Sequence, residues 1–207
     1  MFIPKYYKVT DFEKIKEFIN ANSFGTVVTT EKAKPIATHI PLQLNKNGEE
    51  YYITGHVSYG NRQWRTFETC EEVLVIYQGS HAYISSSWYG HENVPTWNYQ
   101  AVHIYGKATI LEEDELKDDL AQLLKKYEKH RKAPILWDNL SSQLLEKEIK
   151  GIVGFKIKIN EIQAADKLSQ NRNEEDYLSI IKHLKKEGNP MSLQVADVME
   201  NRLLKDK

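Results

Sequence analysis

Residues 35–56 read PIATHIPLQLNKNGEEYYITGH, and their pattern decides the fold class. Ile36, Thr38, Ile40 and Leu42 alternate with Ala37, His39, Pro41 and Gln43, the period of two expected of a strand with one covered face. Asn47-Gly48 follows as a two-residue turn signal, because both residue types tolerate positive φ. The run EYYIT (50–54) then returns as the partner strand. Upstream, GTVVTT (25–30) is short and β-branched, and residues 31–35 turn the chain. Downstream, VLVIY (73–77) is a continuous apolar run of strand length, as for a strand covered on both faces. HAYIS (81–85), the long run 96–111 and IVGFKIKI (152–159) add further strands. Turns join these runs where a doubly wound fold needs crossover helices. The pattern therefore predicts a mainly β chain with flanking helices (α+β), its antiparallel sheet curled into a barrel.

Helical periodicity occupies the remainder. Thr10 with Glu13 reads as a capping box, and Phe12, Ile15, Phe18 and Ile19 form one stripe behind it. Further helices are predicted over 112–130, 141–149, 174–187 and 192–204, the last two split by Gly188-Asn189-Pro190. These assignments give a barrel domain over 1–172 and a C-terminal helical extension over 173–207.

The chain has 207 residues, 28 Lys+Arg against 29 Asp+Glu, and a formal charge of -1. Bulk electrostatics therefore cannot carry nucleic-acid binding, and a DNA contact would need a local patch. A single cysteine, Cys70, closes no internal disulfide and fits a reducing cytoplasm. No apolar run approaches the roughly 18 residues of a spanning helix, so no membrane association is expected. G-x-G-x-x-G, the P-loop, H-E-x-x-H and G-x-S-x-G are all absent, which removes dinucleotide, P-loop, zinc-protease and nucleophile-elbow chemistry. His39, His56, His81 and His103 would bind a metal only if the fold converged them, and no spacing requires it; no metal is expected.

Three stretches concentrate polar and aromatic chemistry. TGHVSYGNRQW (54–64) reads as a strand end and a helix start near Ser58 to Asn61. Gly55 and Gly60 allow close backbone approach there, and His56 and Arg62 flank a phosphate-sized site. An ordinary capped turn explains the same letters. WYGHENVPTWNYQAVH (88–103) packs flat side chains with polar tips into a loop that feeds a strand, suited either to a planar heteroaromatic ligand and subunit interface or to core packing. KLSQNR (167–172) is either a solvated loop or a cationic arm toward a bound anion. The cluster 125–132 closes a helix, where cations complement its dipole. In the last helix Gln194, Asn201 and Arg202 are the only plausible base readers, beside Asp197 and Glu200, which repel phosphate.

Taken together these stretches resemble the PaiB family, a branch of the FMN-binding split-barrel superfamily that also contains the pyridoxamine-phosphate oxidases. The resemblance is carried by MFIP (1–4), ATHIP (37–41), Gly55-His56-Val57 with Asn61 and Trp64, AYIS (82–85) with Trp88-Tyr89, PTWNYQAVH (95–103) with Gly106, and KLSQNR (167–172). It implies a six-stranded split barrel, a homodimer, FMN at the dimer interface, and a negative regulator of sporulation and degradative-enzyme (protease) genes that acts on DNA or through another transcription regulator. By position it implies that Thr38 and His39 face the flavin, and that Thr54, Gly55, His56, Ser58, Asn61 and Arg62 hold the ribityl phosphate. Trp97 and Asn98 would line the neighbouring subunit's site, and Lys167 and Ser169 would stand near cofactor and substrate. The second-strand Arg and Lys of the oxidases are replaced here by IATHI (36–40), and of the consecutive cations at the phosphate-binding helix start only Arg62 stands here. The oxidase activity therefore does not carry over, and no catalytic residue is assigned. The rival reading is a flavin-dependent reductase or oxidase acting on a small molecule, with His56 or His103 as the first candidate acid–base groups.

Overall fold

The computed structural model describes residues 1–205. In chain order the elements are β1 (Lys8–Val9), α1 (Phe12–Ala21), β2 (Phe24–Glu31), β3 (Lys34–Pro41), β4 (Gln43–Asn47), β5 (Glu50–Ser58), β6 (Val73–Ile84), β7 (Thr96–Ile110), α2 (Glu113–Glu128), α3 (Ser142–Ile149), β8 (Ile152–Lys167), α4 (Glu174–Glu187) and α5 (Pro190–Lys205). Short 3₁₀ turns, among them Arg62–Thr66, fill the connections. The hydrogen-bonded strand order is β3-β2-β6-β7-β8-β5-β4, and β1 pairs with β8. The β2–β3, β2–β6, β4–β5, β5–β8 and β1–β8 ladders are antiparallel.

Eight strands stand where the resemblance implies six. The run 36–44 divides at Leu42, whose N–H turns away from the ladders to the Ser23 carbonyl at 2.8 Å. Runs 73–77 and 81–85 fuse into β6, because Gly79 is a packing position in mid-strand: a Cβ there would lie 2.6 Å from the Phe18 ring. The β2–β3 hairpin turns on Lys32 and Ala33, both at positive φ, which carries the strand twist through a two-residue loop. In the β4–β5 hairpin Asn47 still pairs with Glu50, and Gly48 alone adopts positive φ, so the turn begins one residue later than Asn47-Gly48 suggests.

Helix ends follow local hydrogen-bond supply. Asp11, not Thr10, caps α1: its Oδ1 accepts from Glu13 N at 3.0 Å and Lys14 N at 3.4 Å. Asn173 caps α4, and Gly188 at φ 71 ends it. Asn189 Oδ1 then receives Ser192 N at 2.9 Å, starting α5 at once.

The chain divides into two compact units. One comprises Met1–Phe18, Gln78–His103 and residues from Gln163 onward; the other comprises Ile19–Tyr77 and Ile104–Ile162. In the first, α4 and α5 share a buried core with β6 and the end of β8, built on Ile84, Leu168, Ile180, Leu184, Val195 and Met199. In the second, Phe67 and Phe155 meet at 4.5 Å between ring centroids within a core that includes Leu42, Ile53, Val75 and Ile157. No helix among the described residues is long and apolar enough to cross a membrane.

Asp119 pins α2 to the edge of the second unit. Its Oδ1 accepts from Gln43 Nε2 at 2.9 Å, from Asn45 Nδ2 at 3.5 Å and from the Thr54 hydroxyl, while Gln43 also reaches the Asp119 carbonyl at 3.0 Å. Its Oδ2 is buried and without a partner. Burial pushes the Asp119 pKa up; the hydrogen bond from Thr54, the nearby His56, and Gln43 and Asn45 oppose that push.

Two expectations follow. Gly106 lies against β8 so closely that a methyl would sit 2.1 Å from the Lys158 carbonyl oxygen, whereas the nearest atom at Gly60 would be 3.7 Å away. Gly106→Ala should therefore lower stability by about 1–3 kcal/mol or more, and Gly60→Ala should leave the thermal midpoint nearly unchanged. A raised aspartate pKa means that the native state takes up a proton before the unfolded chain does, so the contribution of Asp119 grows on acidification and is lost as pH rises through its native value. Denaturant unfolding of wild type and Asp119→Asn should show a stability difference that favours wild type more at about pH 4–5 than at about pH 7.

Candidate functional site

In the second unit, β5 ends at Ser58 and the chain folds back through residues 58–61. Asn61 N donates to the Ser58 carbonyl at 2.9 Å, and Gly60 N to Ser58 Oγ at 3.3 Å. Asn61 Oδ1 then accepts from Gln63 N at 3.1 Å and opens the 3₁₀ turn Arg62–Thr66. The predicted helix start is thus a single five-residue 3₁₀ turn.

The turn is fastened from beneath by Gln63, which is 2% exposed. Its Nε2 donates to the Val27 and Ile36 carbonyls at 3.0 and 3.2 Å and to Thr29 Oγ1 at 3.2 Å. Its Oε1 accepts from the Thr38 hydroxyl, and Thr38 Oγ1 accepts from Asn61 Nδ2 at 2.9 Å. Thr38 and Asn61, two of the sequence-derived site residues, are therefore joined through one network. Above it, Ser58, Tyr59, Gly60, Arg62 and Arg65 are exposed. Tyr59 and Trp64 rings lie 5.7 Å apart, and the Arg65 guanidinium stands 5.3 Å from the Trp64 ring. Neither Arg62 nor Arg65 is paired with a carboxylate among the described residues.

The other candidates of this unit divide by strand alternation. His39 is exposed on the face of β3 opposite Thr38. Thr54 is buried, its hydroxyl given to Asp119. Gly55 points inward: a Cβ would meet Leu42 at 2.8 Å and the Phe155 ring at 3.2 Å, so packing requires this glycine. His56 shares the face of Thr54 and is half-buried, with Nδ1 buried and unpartnered. Burial lowers its pKa against the opposing pull of Asp119, which favours the neutral imidazole.

The first unit holds the remaining candidates. Asn98 is 0% exposed; its Oδ1 accepts from Ser169 Oγ at 3.0 Å, and its Nδ2 donates to Met199 Sδ at 3.5 Å. Both residues brace the end of β8 from inside. Trp97 is 53% exposed, its ring 5.9 Å from Tyr83 and 6.2 Å from His81. Lys167 is half-buried and donates to Thr96 Oγ1 at 2.6 Å. His103 is half-buried with an unpartnered Nδ1, and burial followed by the nearby N-terminal ammonium lowers its pKa. Sequence reading does not reach Gln63 and Asp119, whose side-chain partners lie 25 to 76 positions away, and only the Asn61 cap signals that a polar buttress is needed.

Residues 1–161 match the family model described as "Putative FMN-binding domain". The chain is 66% identical over 205 residues, 99% of each chain, to the protease synthase and sporulation protein PAI 2 of Bacillus subtilis strain 168. It is 29% identical over 148 residues to an uncharacterized protein of Saccharomyces cerevisiae, covering 60% of this chain and 86% of that one. Among solved structures, the FAD and heme binding protein of Mycobacterium smegmatis superposes with a TM-score of 0.61 at 16% identity, over 84% of this chain and 79% of that one. The flavocytochrome Anf3 of Azotobacter vinelandii gives 0.61 at 19% identity, over 85% and 78%. At these identities the likeness shows the fold alone, a split barrel. The chain therefore belongs to the FMN-binding domain family whose model it matches, on its PaiB branch, and its cofactor is FMN.

Proposed function

We infer that the exposed turn 58–65 receives the FMN phosphate, and that the protein acts as a PaiB-type negative regulator of sporulation and protease genes in the cytoplasm. One observation carries the binding site: two arginines, Arg62 and Arg65, stand without carboxylate partners on a turn held rigid by Gln63, Thr38 and Asn61. A dianion needs donors fixed in advance, and Ser58 Oγ and the two guanidinium groups supply them. Thr54, Gly55, Asn98 and Ser169 act from behind, since their side chains or packing are already engaged within the protein. His39, His56, Trp97 and Lys167 remain the candidates for direct contact with ligand. When bound, the isoalloxazine supplies redox chemistry; the chain's own residues anchor the phosphate and, through neutral His56, offer a proton acceptor.

The regulatory part rests on end-to-end identity to the sporulation protein of B. subtilis. Homodimer formation, and action on DNA or on another transcription regulator, belong to this same reading. Of the possible base readers on α5, Gln194, Asn201 and Arg202 are exposed, as is Asp197. A second reading, a flavin-dependent oxidoreductase for a small molecule, is favoured by one observation: half-buried His56 has a buried, unpartnered Nδ1, and burial lowers its pKa against the pull of Asp119.

Flavin fluorescence titration tests the site. Arg62→Gln should weaken FMN about tenfold while leaving riboflavin, which has no phosphate, unaffected; equal loss for both ligands would place the phosphate elsewhere. A promoter mobility shift with and without FMN, beside a spectrum after addition of NADH or NADPH, separates the two functions. A flavin-dependent shift supports the regulator, whereas catalytic bleaching with no DNA retardation supports the oxidoreductase.

A further inference from the structure

The end of β8 carries a turn whose geometry is fixed far more tightly than a solvated loop requires. Gln170 Oε1 accepts from Leu168 N at 2.7 Å while its Nε2 donates back to the Asp166 carbonyl, and Arg172 N closes on the Ser169 carbonyl at 3.0 Å. Ser169 sits at φ 61, a left-handed conformation uncommon for a residue with a side chain. Its hydroxyl is locked to buried Asn98. Such a conformation persists only where its surroundings over-determine it.

The turn delivers two cations to one place. The Arg172 guanidinium lies 4.8 Å from the Tyr89 ring centroid, and Arg172 and Lys167 are close enough that burial and then Arg172 lower the Lys167 pKa. Burial disfavours the ionised form of Tyr7, Arg172 favours it, and Tyr89 and Tyr99 oppose it, so the Tyr7 pKa is raised. The Tyr89 hydroxyl is buried without a hydrogen-bond partner. Neighbouring carboxylates are committed elsewhere: Asp166 receives Gln100 Nε2 at 3.0 Å, and Asp176 holds Gly90 N at 2.8 Å and His91 at 3.2 Å. Neither Lys167 nor Arg172 meets a carboxylate among the described residues. Two like charges gathered beside an unsatisfied buried hydroxyl cost free energy in the empty protein, and a bound anion reverses the sign of each contribution.

We propose that Lys167 and Arg172, with the hydroxyls of Tyr7 and Tyr89, form a binding site for the oxyanion, carboxylate or phosphate, of a second small ligand distinct from FMN. Arg172 supplies the planar fork, Lys167 the point charge, and the tyrosines neutral donors. This rests on the reading that Lys167 contacts ligand and deepens it, naming the ligand's oxyanion and adding Arg172, Tyr7 and Tyr89, none of which belongs to the proposed phosphate turn at 58–65.

The test uses the full chain saturated with riboflavin, which occupies the ring site without supplying a phosphate, and titrates inorganic phosphate and acetate calorimetrically. Binding at this site should weaken at least tenfold in Arg172→Gln and in Lys167→Met and survive in Arg62→Gln, which removes only the separate phosphate event of the turn at 58–65 that riboflavin leaves unfilled. Tyr89→Phe should lower anion affinity several-fold while keeping or raising the thermal midpoint; a merely structural tyrosine would move the midpoint alone, and that result overturns the proposal. Equal anion binding in wild type, Arg172→Gln and Lys167→Met also overturns it. If Arg172→Gln and Lys167→Met lose FMN but keep riboflavin, the two cations hold the flavin's own phosphate and the second ligand is refuted, with flavin binding intact. If wild type binds no flavin, the titration without riboflavin still decides: Arg172-dependent phosphate or acetate binding supports the site although the flavin reading fails.

Discussion

Gln63 buries a primary amide against the backbone of two neighbouring strands, and the proposed phosphate turn takes its shape from that contact. The Val27 and Ile36 carbonyls receive its Nε2, and the Thr38 hydroxyl reaches its Oε1. A buried amide with its partners removed costs about 1–3 kcal/mol for each unmet group, so the cheapest arrangement satisfies all of them at once. That requirement fixes where Asn61 stands, and Asn61 fixes where Arg62 and Arg65 emerge. The exposed cations stand on a turn held by side chains already engaged within the protein.

The same economy recurs twice. Asp119 gathers Gln43, Asn45 and Thr54 onto one oxygen and so ties α2 to β4 and β5. Asn98 holds Ser169 and contacts Met199, tying the end of β8 to α5 within the first unit. In each case a fully buried polar side chain serves two elements distant in sequence.

Strands were legible in the sequence because alternation and turn residues are local. The 36–54 hairpin region, VLVIY and IVGFKIKI all stand where the pattern puts them, and the helix starts at Ser141 and Asn173 follow from short-range capping. Boundaries were lost where a residue serves a distant partner. Leu42 leaves its strand for Ser23, and Gly79 reads as a break although it makes room for the Phe18 ring. Thr10 reads as the cap of α1, but Asp11, next to it, offers the same chemistry one position later and takes the role. At the site, Asn61 was readable as a cap. Gln63 and Asp119 were not, since burial of a polar group is decided by partners tens of residues away. Gly55 reads as a place for close backbone approach, and a side chain there would meet Leu42 and Phe155, partners the local pattern does not show.

β6, β7 and β8 each contribute residues to both compact units, and the chain passes from one unit to the other four times, after Phe18, Tyr77, His103 and Ile162. Neither unit is a contiguous piece of the gene. Recombination at a single crossover point cannot transplant one without severing the other, so the pair can only be inherited, and reshaped by substitution, together.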